Sequence, residues 1–318
     1  MSSNMGLIIG LIIIGNIILG FIVSLIVVAI LVFQGFFGRQ EDDLLEKTNL
    51  KDFTYDICRD KIIEYRNRIK EFEYDELRIK SFDNLDLFGK MYKAEQNKDL
   101  IILFHGAHTI PENNFSFFIY SLYKKYNILL VRMRSHGESG GRNLTYGLKE
   151  KHDIISWLDF LGKKFDNIYL YGISMGAASI AFASDSLNRF DNVKGMIFDC
   201  GFNNISEVMS FIVSSHHLPG PLFVPGVKIL HKLKFGVKME TEYAETHLRN
   251  NKIPCLFIEG ERDDVVPPQI LMKCYDACSS YKELIMVPDA GHAASVVVGG
   301  DEVINKIILF FERSKNNG

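Results

Sequence analysis

From residue 99 onward the chain alternates short apolar runs with longer amphipathic stretches, and this order constrains the fold more than any other feature of the sequence. The runs at 100–104, 128–133, 168–171, 193–198, 255–258 and 283–287 are dominated by Ile, Leu, Val, Phe and Met. Between and after them, residue spacing predicts helices near 114–126, 148–161, 175–187 and 303–312. Strands buried on both faces read as near-continuous apolar runs, and helices between such strands make the crossovers of a parallel sheet. Right-handed crossovers then wind helices over both faces. Ahead of this region, 74–81 and 85–94 alternate around Phe82-Asp83-Asn84 as a hairpin would, and the charge-rich residues 39–70 carry Ile57, Ile62, Tyr65 and Ile69 at helical spacing. The expected fold is α/β, a doubly wound and mostly parallel sheet. Residues 201–251 contain no clear strand and hold Pro219, Pro221 and Pro225, which reads as an insertion over the sheet.

Gly172-Ile173-Ser174-Met175-Gly176 stands between the run at 168–171 and a small-residue helix that begins at Met175. In that setting G-x-S-x-G is a strained turn that lifts the serine to the helix amino terminus, and its glycines are needed because a Cβ would collide with neighbouring backbone. A phosphate-binding turn would instead want Gly-x-Gly-x-x-Gly or a Lys-Ser/Thr pair, and neither is present. A serine hydroxyl becomes a nucleophile only beside a base, itself oriented by an acid. Downstream, Asp263 and His292 follow the last two predicted strands, at the sheet edge where ligands bind in open α/β folds. The candidate catalytic residues are therefore Ser174, Asp263 and His292, with Asp264 the adjacent rival for the acid and Asp199 a more remote one. Charge developing on an attacked carbonyl oxygen needs preorganised donors, for which position selects the backbone N–H groups of Met175 and Ala107. His105 and His136, each before a glycine, read as structural, whereas His216 and His217 belong to the insertion and at most touch substrate. Phe202, Met209, Phe211, Ile212, Leu218, Leu222, Phe223 and Val224 of the insertion either line an apolar pocket over Ser174 or pack the insertion on the core.

Taken in order, the His105-Gly106 loop, the loop from Arg134-Ser135-His136 to Gly137-Glu138-Ser139, the Ser174 turn and the Asp263 and His292 loops resemble the α/β-hydrolase superfamily of serine hydrolases. The resemblance covers about residues 73–314, and within the superfamily the chain is similar to bacterial membrane-anchored or secreted hydrolases near the serine aminopeptidase and esterase branches. It implies an eight-stranded, mostly parallel sheet with a short cap, and hydrolysis through an acyl-enzyme without cofactor or metal. Where many relatives read Asp-x-Arg-Gly-His-Gly-x-Ser, this chain has Arg132 and Ser135, a departure that bears on the local loop and not on the candidate triad. A carboxylesterase or lipase-like activity on a small acyl ester or lipid-like substrate is the first expectation. A peptidase or acyltransferase on the same triad, or a noncatalytic scaffold, are the alternatives.

The other half of the organisation lies at the amino terminus. All 36 Lys and Arg and all 39 Asp and Glu fall after residue 38, and the run 7–37 is broken only by Asn16, Ser24 and Gln34 among its polar positions. About 20 such residues suffice to span a bilayer, and no basic leader or small-residue cleavage pattern accompanies them. A retained single-pass anchor is expected, its surplus length taken up by tilt or by interfacial residues at one end. Arg39, Lys47 and Lys51 favour a cytoplasmic domain, whereas the resemblance favours an outward-facing one. The expected division is anchor 1–38, linker and helix 39–72, and hydrolase domain 73–318, with the cap at 202–251. A formal net charge of −3 offers no basic field for nucleic acid. Five cysteines without zinc spacing or a disulfide pattern read as plain buried thiols.

Overall fold

The computed structural model describes residues 2–39, 41, 55–95, 97–215 and 220–316. The apolar runs are the strands β1 (Asp75–Lys80), β2 (Asp86–Tyr92), β3 (Asp99–Phe104), β4 (Asn127–Arg132), β5 (Asn167–Ile173), β6 (Val193–Asp199), β7 (Cys255–Gly260) and β8 (Lys282–Val287). They form one eight-stranded sheet in the order β1-β2-β4-β3-β5-β6-β7-β8. Strand β2 pairs antiparallel with β1 and β4, and every other pairing is parallel. Strand pleating sends alternate residues to opposite faces. In β3, Leu100, Ile102 and Phe104 enter the core on one face, while Ile101 and Leu103 enter the core on the other.

Ten α-helices accompany the sheet among the described residues: α1 (Ser2–Phe37), α2 (Arg59–Ile69), α3 (Pro111–Leu122), α4 (Glu150–Leu161), α5 (Met175–Leu187), α6 (Ile205–Ser215), α7 (Gly220–Phe235), α8 (Ala244–Leu248), α9 (Pro268–Ala277) and α10 (Ser295–Asn316). Helices α4 and α5 cover the Leu100 face through Trp157 and Phe182, and α2, α3 and α10 cover the Ile101 face through Ile62, Phe118 and Phe310. Helices α6, α7 and α8 lie in the interval between β6 and β7. Helix α3 starts earlier than spacing predicts because Pro111 occupies its first turn, where the missing N–H has no intrahelical partner to lose. Helix α10 likewise begins at Ser295, ahead of the predicted 303–312, and bends at Gly300, whose φ of 57° breaks the apparent pattern.

Helix α1 has 36 residues, about 54 Å at 1.5 Å per residue, against a hydrocarbon core of about 30 Å. Its stretch Met5–Phe37 is long and apolar enough to cross a membrane. Most of it is exposed, but Ala29, Phe33 and Phe37, four residues apart, are buried. That face packs on α7: Phe33 and Phe37 meet Phe235, and a Cβ at Gly226 would lie 2.8 Å from the Ala29 Cβ. The carboxyl end of this apolar helix is thus folded onto the globular part. Lys47, Lys51, His216, His217 and Leu218 lie outside the described residues.

Candidate active site

Ser174 stands at the junction of β5 and α5 with φ 53° and ψ −113°, a conformation that costs a non-glycine residue of order 1–3 kcal/mol. The flanking glycines make the turn sterically possible. A Cβ at Gly172 would sit 2.4 Å from the Ala177 nitrogen, and one at Gly176 would sit 2.0 Å from the Phe104 carbonyl oxygen. The Ser174 N–H donates to the Asp199 carbonyl at 2.8 Å, which ties the turn to the end of β6.

His292, in the loop after β8, lies with Nε2 2.9 Å from Ser174 Oγ and Nδ1 2.7 Å from Asp263 Oδ2. Asp263, in the loop after β7, is buried, and its Oδ1 accepts the N–H groups of Val265 at 2.9 Å and Val266 at 2.7 Å. Asp264 points to solvent, so the geometry brings Asp263, and not its neighbour, to the imidazole. The two loops are pinned together by N–H donation from Arg262 to the Ala290 carbonyl at 3.0 Å, and Gly260 is needed there because a Cβ would lie 2.4 Å from that oxygen. Burial disfavours a charged His292, but the nearby carboxylates of Asp263, Asp199 and Asp264 outweigh it and hold the imidazole above its ordinary value.

Comparison with known proteins places the fold that carries these residues. No protein-family profile matches the chain. The uncharacterised Bacillus subtilis protein YqkD is 26% identical over 221 residues, covering 68% of this chain and 72% of its own. An esterase from Pyrococcus furiosus superposes with a TM-score of 0.64 at 25% identity, over 77% of this chain and 93% of the esterase. The chain has the α/β-hydrolase fold. A bacterial membrane phospholipase A shares that fold at 15% identity with a TM-score of 0.58, over 95% of this chain and 99% of the phospholipase.

Within the hydrolase fold, Ser174, His292 and Ala107 open onto a cavity of about 500 Å³, inside the roughly 300–1,000 Å³ usual for small-ligand sites. Met175 supplies the first N–H of α5, one of the groups a helix leaves without an internal partner. Gly106 N–H is held by Asn114 Oδ1 at 2.9 Å, which pins the loop that carries Ala107. His105 Nε2 accepts the Met133 N–H at 3.0 Å while its Nδ1 faces the Gly106 carbonyl at 2.7 Å, and burial pushes it down to about 3. His136 is buried with Nδ1 on the Arg134 carbonyl and is also pushed down by burial. Both are neutral struts of their loops. Arg134, in the loop that departs from the family pattern, is locked by Asp153 at 2.5 and 2.6 Å and by Asp83 at 3.0 and 3.1 Å.

Of the insertion residues expected at a pocket, Phe202 and Ile212 line the cavity, whereas Met209 and Phe223 are buried in the core and Leu222 is exposed. Sequence reasoning missed His108 and Tyr146, whose Nε2 and Oη meet at 2.9 Å on the cavity wall. No periodicity or motif marks either residue. It also missed Val32, Gly35 and Phe36, which belong to α1 and line the same cavity. Among the described residues, one group of potential metal ligands occurs, Cys200, Asp263 and His292. Both His292 nitrogens are already engaged, and burial pushes the Cys200 thiol far up, so this set is poorly suited to a cation.

Proposed function

We propose that the protein is a membrane-anchored serine hydrolase that cleaves a carboxylic ester through Ser174, His292 and Asp263. The observation that carries this reading is the unbroken hydrogen-bonded series from Ser174 Oγ through His292 to Asp263, placed at the mouth of an apolar cavity. His292 Nε2 takes the serine proton as Oγ attacks the carbonyl carbon, and Asp263 keeps Nδ1–H facing it and stabilises the imidazolium. The N–H groups of Met175 and Ala107 receive the oxyanion, each contributing about 3–4 kcal/mol to the transition state. His292 then protonates the leaving alcohol, and water, deprotonated by the same nitrogen, releases the acid. The Pyrococcus furiosus esterase and the bacterial phospholipase A that share the fold support an ester substrate. The apolar Phe202, Ile205, Val208 and Ile212 favour an acyl chain over a charged peptide.

Labelling with a fluorophosphonate tests the nucleophile. Wild-type protein is expected to label and Ser174→Ala is not; equal labelling of both removes Ser174 from its role. Turnover of acyl esters set against aminoacyl and peptide substrates tests the bond class, and faster cleavage of the peptides would replace the esterase reading with a peptidase.

A further inference from the structure

The cavity beside Ser174 is walled on one side by the membrane helix itself. Val32, Gly35 and Phe36 of α1 line it together with Ser174 and His292. That end of the helix is built in. Tyr146 Oη donates to the Phe36 carbonyl at 3.0 Å, and the Phe37 carbonyl accepts from Leu144 N–H at 2.8 Å and Asn143 Nδ2 at 3.1 Å. The Arg39 guanidinium donates to the carbonyls of Ser139 at 2.9 Å and Gly141 at 3.1 Å, and also to that of Gly137. Phe37 is fully buried, edge-on to Tyr146 at 5.5 Å and to His231 at 5.2 Å.

We infer that the last two turns of the anchor form one wall of the acyl-chain site, so that the membrane helix sets which chain lengths are cleaved. This rests on the ester-hydrolase reading and deepens it: the substrate class is a long-chain acyl ester whose tail lies between α1 and α6. A helix that served only as a tether would have no reason to be fixed by this many directional bonds next to the nucleophile. Phe36 supplies an aromatic side and Gly35 an open one, since a Cβ at Gly35 meets nothing within 4 Å. The chain enters from the bilayer side. Leu222, Ile229 and Leu233 stand exposed on α7, the helix packed along α1, at spacings of seven and four residues that keep them on one face. They extend the apolar surface of the anchor onto the cap.

The test uses the full-length protein in vesicles and p-nitrophenyl esters from acetyl to dodecanoyl. Gly35→Leu puts a side chain into the open part of the site and favours the helix; the ratio of dodecanoyl to acetyl kcat/KM is expected to fall about tenfold or more, in line with the discrimination that one or two methylenes confer in an apolar pocket. Phe36→Ala is expected to move the optimum toward longer chains. Gly15→Leu, at an equally open position higher in α1, is expected to keep the wild-type ratio. If Gly35→Leu and Phe36→Ala both melt like wild type and leave the profile unshifted, the wall is not the anchor and the inference falls. Absence of fluorophosphonate labelling and ester turnover in wild type would remove the hydrolase reading itself, a different result. Faster cleavage of the dodecanoyl ester embedded in vesicles than of the same ester as a dissolved monomer assigns its source to the bilayer; equal rates assign it to solution.

Discussion

Ser174, His292 and Asp263 are set by their neighbours more than by themselves. The Asp263 carboxylate spends one oxygen on two backbone N–H groups and so has one direction left for His292. Asp263→Asn is expected to lower kcat on the order of 10⁴-fold with little change in fold, because an amide stabilises the wrong tautomer. The raised His292 value gives a pH prediction with a definite sign. A general base works only when neutral, so activity is expected to fall on the acid side through a midpoint above the ordinary 6.5 of histidine. Asp264 contributes to that elevation from an exposed position. Asp264→Asn is therefore expected to move the acid limb to lower pH while leaving the plateau near wild type, and added salt is expected to shrink the difference between the two proteins. A pH–rate profile of kcat/KM for both measures it; an unmoved limb at low salt would exclude the field of Asp264 as a cause.

The turn between β5 and α5 and the loop after β3 depend on each other. Gly176 lies so close to Phe104 that a Cβ would overlap its carbonyl oxygen, and Phe104 is the last residue of β3, just ahead of the loop that carries Ala107. Gly176→Ala is expected to destabilise the protein by about 1–3 kcal/mol or more, the range for overpacking a closed core, and to reduce activity by displacing the loop that bears Ala107. Urea denaturation reads the first effect and ester turnover the second. Helix α1 shows the opposite economy. Its first part needs only apolar side chains, whereas its last three turns need Ala29 small, Phe33 and Phe37 aromatic, and carbonyls at Phe36 and Phe37 that accept from the hydrolase loops. A sliding reading of hydropathy treats both parts alike.

For the molecule as a whole, the site is placed at some expense to stability. Asp199 and Glu259 are buried beneath His292 and Asp263; burial first, and then neighbouring carboxylates, raise Glu259 well above the carboxylate range, and burial takes Asp199 to about 7. A carboxyl raised in the folded state stabilises it fully below the ordinary value, 4.5 for glutamate, and that contribution is lost as pH rises toward the folded value. Glu259→Gln cannot ionise. Its stability relative to wild type is expected to grow from pH 5 toward pH 9, by at most about 1.4 kcal/mol per unit, and unfolding curves at several pH values measure it. A gap that stays constant with pH would mean that Glu259 ionises as freely folded as unfolded.

Sheet, helices and the order serine, acid, histidine were legible in the chain because each is specified locally. Continuous apolar runs leave a strand no solvated face, a 3.6-residue spacing leaves a helix one buried side, and Gly172 avoids a collision with Gly176 and Ala177, four and five residues further along the chain. The choice between Asp263 and Asp264 was not local, since it turns on where the loop after β8 brings His292 to rest. Still less so was the partnership of Phe36 with Ser174. Nothing in an apolar run says which of its residues face lipid and which face protein, because both surroundings reward the same side chains. Only the packing of α1 on α7, and the carbonyls it offers to Tyr146, Leu144 and Asn143, decided that the end of this apolar helix belongs to the cavity.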